Sequence, residues 1–233
     1  MKSEPLRLRH RTFVCGCAWM ALLLAVHVRA EDAPRVPDFS ISTPCDWYKE
    51  TRQTNQWFER DQQPRQQLMA IYSRAQESGI AADPAQVKEA MALIDEADGA
   101  LRKALEDLVT RCGWPSRTAF GQAAVQSAYM VVQHAPLDYQ LKYLPVITAA
   151  TAQGEFEKRH LALLTDRILV RQQKPQRYGT QTRVIDALGN AEMFPIEDEE
   201  AVDRLRADAG IVPVSICAYA SMMNARLKRC EGP

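Results

Sequence analysis

Apolar residues recur at helical spacing along most of the chain, and the breaks between these runs carry helix-ending residues. From Pro44 and Asp46 the apolar positions are Trp47, Trp57, Phe58, Leu68, Met69 and Tyr72. Pro64 interrupts them, so the pattern predicts two helices or one kinked helix over 45–78, stopped at Ser78-Gly79. Asp83-Pro84 pairs an N-cap with proline at the first helical position. The helix it opens carries Val87, Met91, Ile94, Leu101, Leu105 and Leu108 on one face and closes at Cys112-Gly113-Trp114-Pro115. Ser116 or Thr118 caps the next helix, which runs to about Ala135. Phe120, Ala124, Ser127, Ala128, Val131 and Ala135 share its apolar face, and Gln122, Gln126, Tyr129 and Gln133 take the opposite arc. His134 falls at the edge of the apolar arc.

After Pro136 the pattern predicts a short helix from Tyr139 to Ala152, with Pro145 near its middle or at a second start. A stronger helix follows from Glu155 to Gln172, with Leu161, Leu164, Thr165, Ile168 and Leu169 inward. Asp166 lies on the flank of that inward face, and His160 and Arg167 share the far side. Beyond Pro175 the period changes. Thr182–Asp186 and Ala191–Ile196, joined through Leu188-Gly189-Asn190, read as a small β-hairpin, with a loop as the alternative. Asp198 caps a charged helix ending at Ala209-Gly210, and Pro213 opens a last helix, Val214 to about Lys228. The expected fold is mainly α: a compact bundle of about seven or eight helices with a small late β-hairpin.

The first thirty residues change the picture of compartment. Arg7, Arg9 and Arg11 precede an apolar run from Phe13 to Val26, and Val28-Arg29-Ala30 offers small residues at a signal-peptidase site. Residues 1–30 are therefore expected to be a signal peptide, with an uncleaved anchor as the alternative. Residues 31–43, rich in Pro, Asp and Ser, are expected to be a flexible tail, and 44–233 a single helical domain. Without residues 1–30 the chain has 24 basic against 28 acidic residues, a net charge of −4. That balance, with no basic run, argues against nucleic acid as a partner. No later apolar run approaches the ~20 residues of a membrane span.

Four cysteines remain after the leader: Cys45, Cys112, Cys217 and Cys230. An even number in an exported chain favours two disulfides, and the spacing is not that of a zinc site. If Cys217 and Cys230 share the last helix, they stand about 20 Å apart, too far to bond. That disfavours the Cys217–Cys230 pairing, and with it Cys45–Cys112, and leaves the other two pairings open.

The polar chemistry gathers in short segments. Asp61-Gln62-x-x-Arg65, Gly113-Trp114-Pro115, Gln133-His134 and Asp166-Arg167 occur in order, followed by Gln176-x-Tyr178-Gly179-Thr180-Gln181 and, near the end, Gly210 and Pro213. The ordered set resembles a bacterial domain family of unknown function, numbered six-six-two-four, over about residues 55–220. The resemblance implies a helical domain, often exported, and carries over no established activity. The chain departs from the family pattern at Cys112, where histidine often precedes Gly-Trp-Pro.

Two classes of function fit these segments. His134 is a candidate general acid or base, with Asp166 as the carboxylate fixing its tautomer. Arg167 is suited to clamp a carboxylate through its planar fork, and Gln133, Gln176, Tyr178, Thr180 and Gln181 are candidate ligand contacts. Helices joined by short connections allow these segments to meet at one end of the bundle. The plainer reading of each is structural: a satisfied imidazole, a helix-flank ion pair, a turn tied down by its own side chains, and Trp114 as packing. No metal site is expected of His134 and His160, which sit on different helices without a metal-binding pattern, and no cofactor motif occurs. No complete catalytic set is legible, so the sequence favours a periplasmic or secreted binding or inhibitory module for a peptide, glycan or protein partner. An acid/base, hydrolase-like enzyme is the alternative.

Overall fold

The computed structural model describes residues 45–230. The expected signal peptide and tail lie outside the described residues. Trp47–Asn55 forms α1, Trp57–Ser78 α2, Pro84–Cys112 α3, Arg117–His134 α4, Leu137–Ala152 α5 and Lys158–Arg171 α6. Then come β1 (Thr182–Val184), β2 (Ala191–Met193), α7 (Val202–Ala209), α8 (Ile216–Met222), β3 (Ala225–Arg226) and a 3₁₀ turn, Lys228–Cys230. The fold is mainly α, as the periodicity predicts.

Local signals place most of the boundaries. Asp46, Asp83 and Ser116 accept backbone N–H bonds at the starts of α1, α3 and α4. Gly79 and Gly210 take the left-handed conformation that ends α2 and α7. Pro64 behaves otherwise: it is carried inside α2, and the break between the first two helices falls at Gln56. α2 runs along α3, and Pro64 is buried, so packing holds the helix through a residue that weakens it locally.

α4 is the central helix. It packs against α1, α2, α3, α5 and α6, so both of its arcs are covered. Tyr129 and Gln133, expected on the polar arc, are therefore buried along with Ala124, Ala128 and Val132. Leu101, Leu105 and Leu108 of α3, Ile147 of α5 and Leu164 of α6 complete this main core. Each fully buried aliphatic side chain contributes about 1.5–3 kcal/mol. His160 is also buried, stacked on Tyr129 with centroids 4.7 Å apart, and does not lie on a solvent-facing side with Arg167.

The late hairpin is present, with β1 and β2 antiparallel and Arg183 opposite Glu192. Sequence periodicity missed β3, a two-residue strand that pairs parallel to β2. A second, smaller core gathers Met193, Val202, Ile216, Ala220 and Leu227. Gly189 at the hairpin turn sits against Tyr72 of α2: an added Cβ would come within 2.8 Å of that side chain.

The disulfides overturn the pairing expected from spacing. Cys45 bonds Cys112, with Cα atoms 5.2 Å apart, and Cys217 bonds Cys230 at 5.4 Å. The error lies in the last helix. α8 stops at Met222 instead of running to Lys228, and Asn224, at φ 48°, turns the chain back through β3. The first bond spans 67 residues and pins the start of α1 to the end of α3. In the loop-entropy account it contributes about 4 kcal/mol, and the 13-residue C-terminal loop about 3.

Candidate functional site

The expected polar residues do not form one site. They fall into two networks, and only the second draws on α6.

The first network joins α2, α3 and α4. α2 presents Asp61, Gln62 and Arg65; α3 presents Asp98; His134 is the last residue of α4. His134 Nδ1 lies 2.8 Å from Asp61 Oδ1. Gln62 Nε2 donates to Asp61 Oδ2 at 2.6 Å. Arg65 donates through Nη1 to the Asp61 carbonyl at 2.7 Å, and through Nη2 to both Asp98 oxygens at 2.7 and 2.9 Å. The carboxylate that orients His134 is thus Asp61, and Asp166 makes no bond to it. With Asp61 accepting from Nδ1–H, the other ring nitrogen, Nε2, is left as the acceptor. No partner is found for Nε2 among the described residues, and it is not among the enclosed orphan atoms. The side chain keeps 14% of its surface, so the imidazole faces outward through Nε2. Burial holds the His134 pKa below its ordinary value; Asp61 opposes that shift, and the charges of Arg65 and Arg167 add to it.

Asp61, Asp98 and His134 place their ligand atoms within 4.8 Å of one another, a spacing that suits a metal ion. The Arg65 guanidinium already lies between the two carboxylates as their cation, and His134 Nδ1 is committed to Asp61. A metal there would have to displace Arg65.

The second network closes the loop after α6. Asp166 is fully buried and accepts from the backbone N–H of Arg177 (2.7 Å), Tyr178 (3.0 Å) and Thr180 (3.0 Å), and from Thr180 Oγ1 (2.9 Å). Burial raises its pKa above the ordinary carboxyl value, and these donors pull against the rise. Gln176, also buried, donates to the carbonyls of Gln181 and Phe194 and accepts from Gln181 N. Gln181 donates to Thr180 Oγ1. Gly179 takes φ 64°, and a Cβ there would strike the Ile216 side chain, so only glycine fits the bend. Arg206 of α7, fully buried, donates to the carbonyls of Tyr178, Gly179, Pro213 and Val214 and lies 4.4 Å from the Tyr219 ring centroid. Gln176, Thr180 and Gln181, expected as ligand contacts, spend their polar atoms inside the protein. Tyr178 keeps some surface and, with Arg177, lines a separate cavity of about 550 Å³ beside α5 and α7.

Arg167 follows Asp166 on α6. Its charge acts on His134 in the first network and on Tyr219 in the second. Its Nε is enclosed and unpartnered, and no hydrogen bond or ion pair to it is found among the described residues. Tyr129 OH and Gln133 Oε1 are likewise buried without partners. Trp114 is buried against Tyr143, 5.4 Å between centroids, which fits packing under the turn. Sequence reading missed Asp98, Arg171 and Arg206. Each is a single charged residue on a helix, and nothing local distinguishes it from a solvated one.

What the fold and the two networks define is a mainly helical, disulfide-bonded domain with one sealed polar network and one that opens outward. Residues 57–225 match the Family of unknown function (DUF6624), and the chain belongs to it. No curated protein and no solved structure matches the chain.

Proposed function

We propose that this chain is an exported binding module whose ligand sits at the outward face of the first network, against His134 and beside Arg167. The observation that carries this reading is the imidazole: Asp61 fixes Nδ1, and Nε2 is left accessible and unbonded. A buried polar network serving structure alone satisfies its members internally. Export is supported by the leader-like first thirty residues and by two disulfides in the domain. Among the described residues no helix is long and apolar enough to cross a membrane.

The acid/base reading keeps support from the same dyad, with Asp61 in the place first given to Asp166. An imidazole oriented by a carboxylate and held neutral by burial is competent as a general base near neutral pH. Binding is favoured because no nucleophile is bonded to Nε2 among the described residues. A thermal-shift screen of small polar compounds on the protein without residues 1–30 tests the proposal. Compounds that raise the melting temperature of the native protein should lose that effect in His134→Gln, whose own melting stays near native. Hits indifferent to His134→Gln would place the ligand elsewhere. Conversion of a bound hit, followed by mass spectrometry, would move the balance to the enzyme.

A further inference from the structure

The sealed network holds a loop and leaves two of its side chains outside. Asp166 accepts from the backbone N–H of Arg177 at 2.7 Å and of Tyr178 at 3.0 Å, and Arg206 donates to the Tyr178 carbonyl at 2.9 Å. Both holding residues are fully buried. The backbone at 177–178 is thus fixed from both sides by enclosed charges, while Arg177 stays exposed and Tyr178 half-buried. Both side chains line the cavity of about 550 Å³, whose other walls come from the end of α5, the start of α6 and the end of α7. That is room for a small organic ligand.

The lining says which kind. Leu161, Ala162, Leu205 and Ala209 make an apolar wall. Lys158 and Arg177 bring positive charge to the same cavity, and Asp208 brings negative charge. No ion pair joins them, and the side chains of Lys158, Asp208 and Tyr178 have no hydrogen bond among the described residues. The Arg177 guanidinium lies over the Tyr178 ring, 5.8 Å from its centroid, and meets no anion there. α6 begins at Lys158 without a side-chain cap on its free N–H groups, which adds to the positive side. α7 ends beside Asp208, and its terminal carbonyls add to the negative side. A neutral ligand would leave both signs of charge unspent, and a simple anion would spend only one. A zwitterion with an apolar body uses every part of this lining.

We infer that this cavity is a second binding site, separate from the face at His134, and that it takes a free α-amino acid or short peptide with apolar side chains. The ligand carboxylate meets Lys158 and Arg177, its ammonium meets Asp208, and its side chains lie on the apolar wall. The inference goes beyond the reading proposed above and stands independently of it.

Calorimetric titration of the protein tests it, with L-leucine, Leu-Leu, N-acetyl-Leu-Leu, Leu-Leu amide, Gly-Gly and glucuronate as probes. Leucine or Leu-Leu should bind, and the tighter of the two shows whether an amino acid or a peptide is the occupant. Acetylation and amidation should each weaken Leu-Leu about tenfold or more, and Gly-Gly should bind more weakly than Leu-Leu. Asp208→Asn should weaken Leu-Leu and leave the acetylated form unchanged. Lys158→Gln combined with Arg177→Gln should weaken Leu-Leu and leave the amide unchanged. All three residues are exposed, so these variants should keep the native melting temperature. His134→Gln should bind the peptide as the native protein does. Binding of neither leucine nor Leu-Leu overturns the inference, as does binding that these substitutions leave unchanged. Glucuronate bound more tightly than every zwitterion overturns the ligand class. Loss of Leu-Leu in His134→Gln, with the cavity variants indifferent, would move the peptide to the first network and overturn the second site.

Discussion

Asp166 and Arg167 are consecutive residues of α6, and they differ in one respect. Asp166 spends its carboxylate on four donors within the protein. Arg167, the next residue, spends its enclosed Nε on nothing found among the described residues. Along α6 a 100° step separates a group that closes a loop from one whose enclosed Nε is left unpaired. The difference teaches that a cluster of polar motifs is not one site by proximity. The side chains that hold backbone in place are those whose hydrogen bonds close.

Removing Asp166 should break this comparison most forcefully. Asp166→Ala leaves three backbone N–H groups and the Thr180 hydroxyl buried and unpaired. A loss of about 3–5 kcal/mol is expected, measured by urea unfolding. A loss under about 1 kcal/mol would mean the loop does not depend on it. Arg206→Met strips the donor from four carbonyls and should cost about 2–4 kcal/mol in the same assay. His134→Gln sharpens the contrast from the other side. Asp61 keeps Gln62 and Arg65, so the stability change should stay within about 1 kcal/mol. A loss as large as that of Asp166→Ala would make the first network structural as well.

The smallest effect expected is on pH dependence. Burial lowers the folded pKa of both His134 and His160 below the ordinary value of 6.5. The unfolded chain therefore takes up protons first as pH falls. The contribution of the neutral imidazoles is complete above about 6.5 and drains as pH falls through the folded values. Melting should be flat from pH 8 to about 7 and decline toward pH 5, with a shallower decline in His134→Gln. A melting temperature that rises on acidification through this range would contradict the buried, neutral state of these rings.

Most helices were legible because their signals are local. Asp83-Pro84 and Ser116 name starts, Gly79 and Gly210 name ends, and the leucines at 101, 105 and 108 give the face of α3. What was not legible came from packing. Tyr129 and Gln133 read as a polar arc because a period assigns one buried face, and α4 has neighbours all round. Val214–Lys228 reads as one helix because nothing in its period marks the turn at Asn224, and the disulfide pairing inherited that error. The polar motifs marked His134 and Asp166 and gave both the wrong partners. His134 finds Asp61, 73 positions earlier, and Asp166 finds the loop behind it. Pairing across that distance is a property of the bundle, and neither motif contains it.

The claim that Arg167 is held for a ligand, and not for the fold, has a direct test in the melting temperature of Arg167→Met without ligand. A partly buried guanidinium whose enclosed Nε lacks a partner costs stability, so an apolar replacement of similar length should remove that cost. The account predicts a rise of about 2–8 °C, equivalent to ~1–2 kcal/mol in a domain of this size. A fall of similar size would show that Arg167 supports the structure, and would contradict the separation of the two networks.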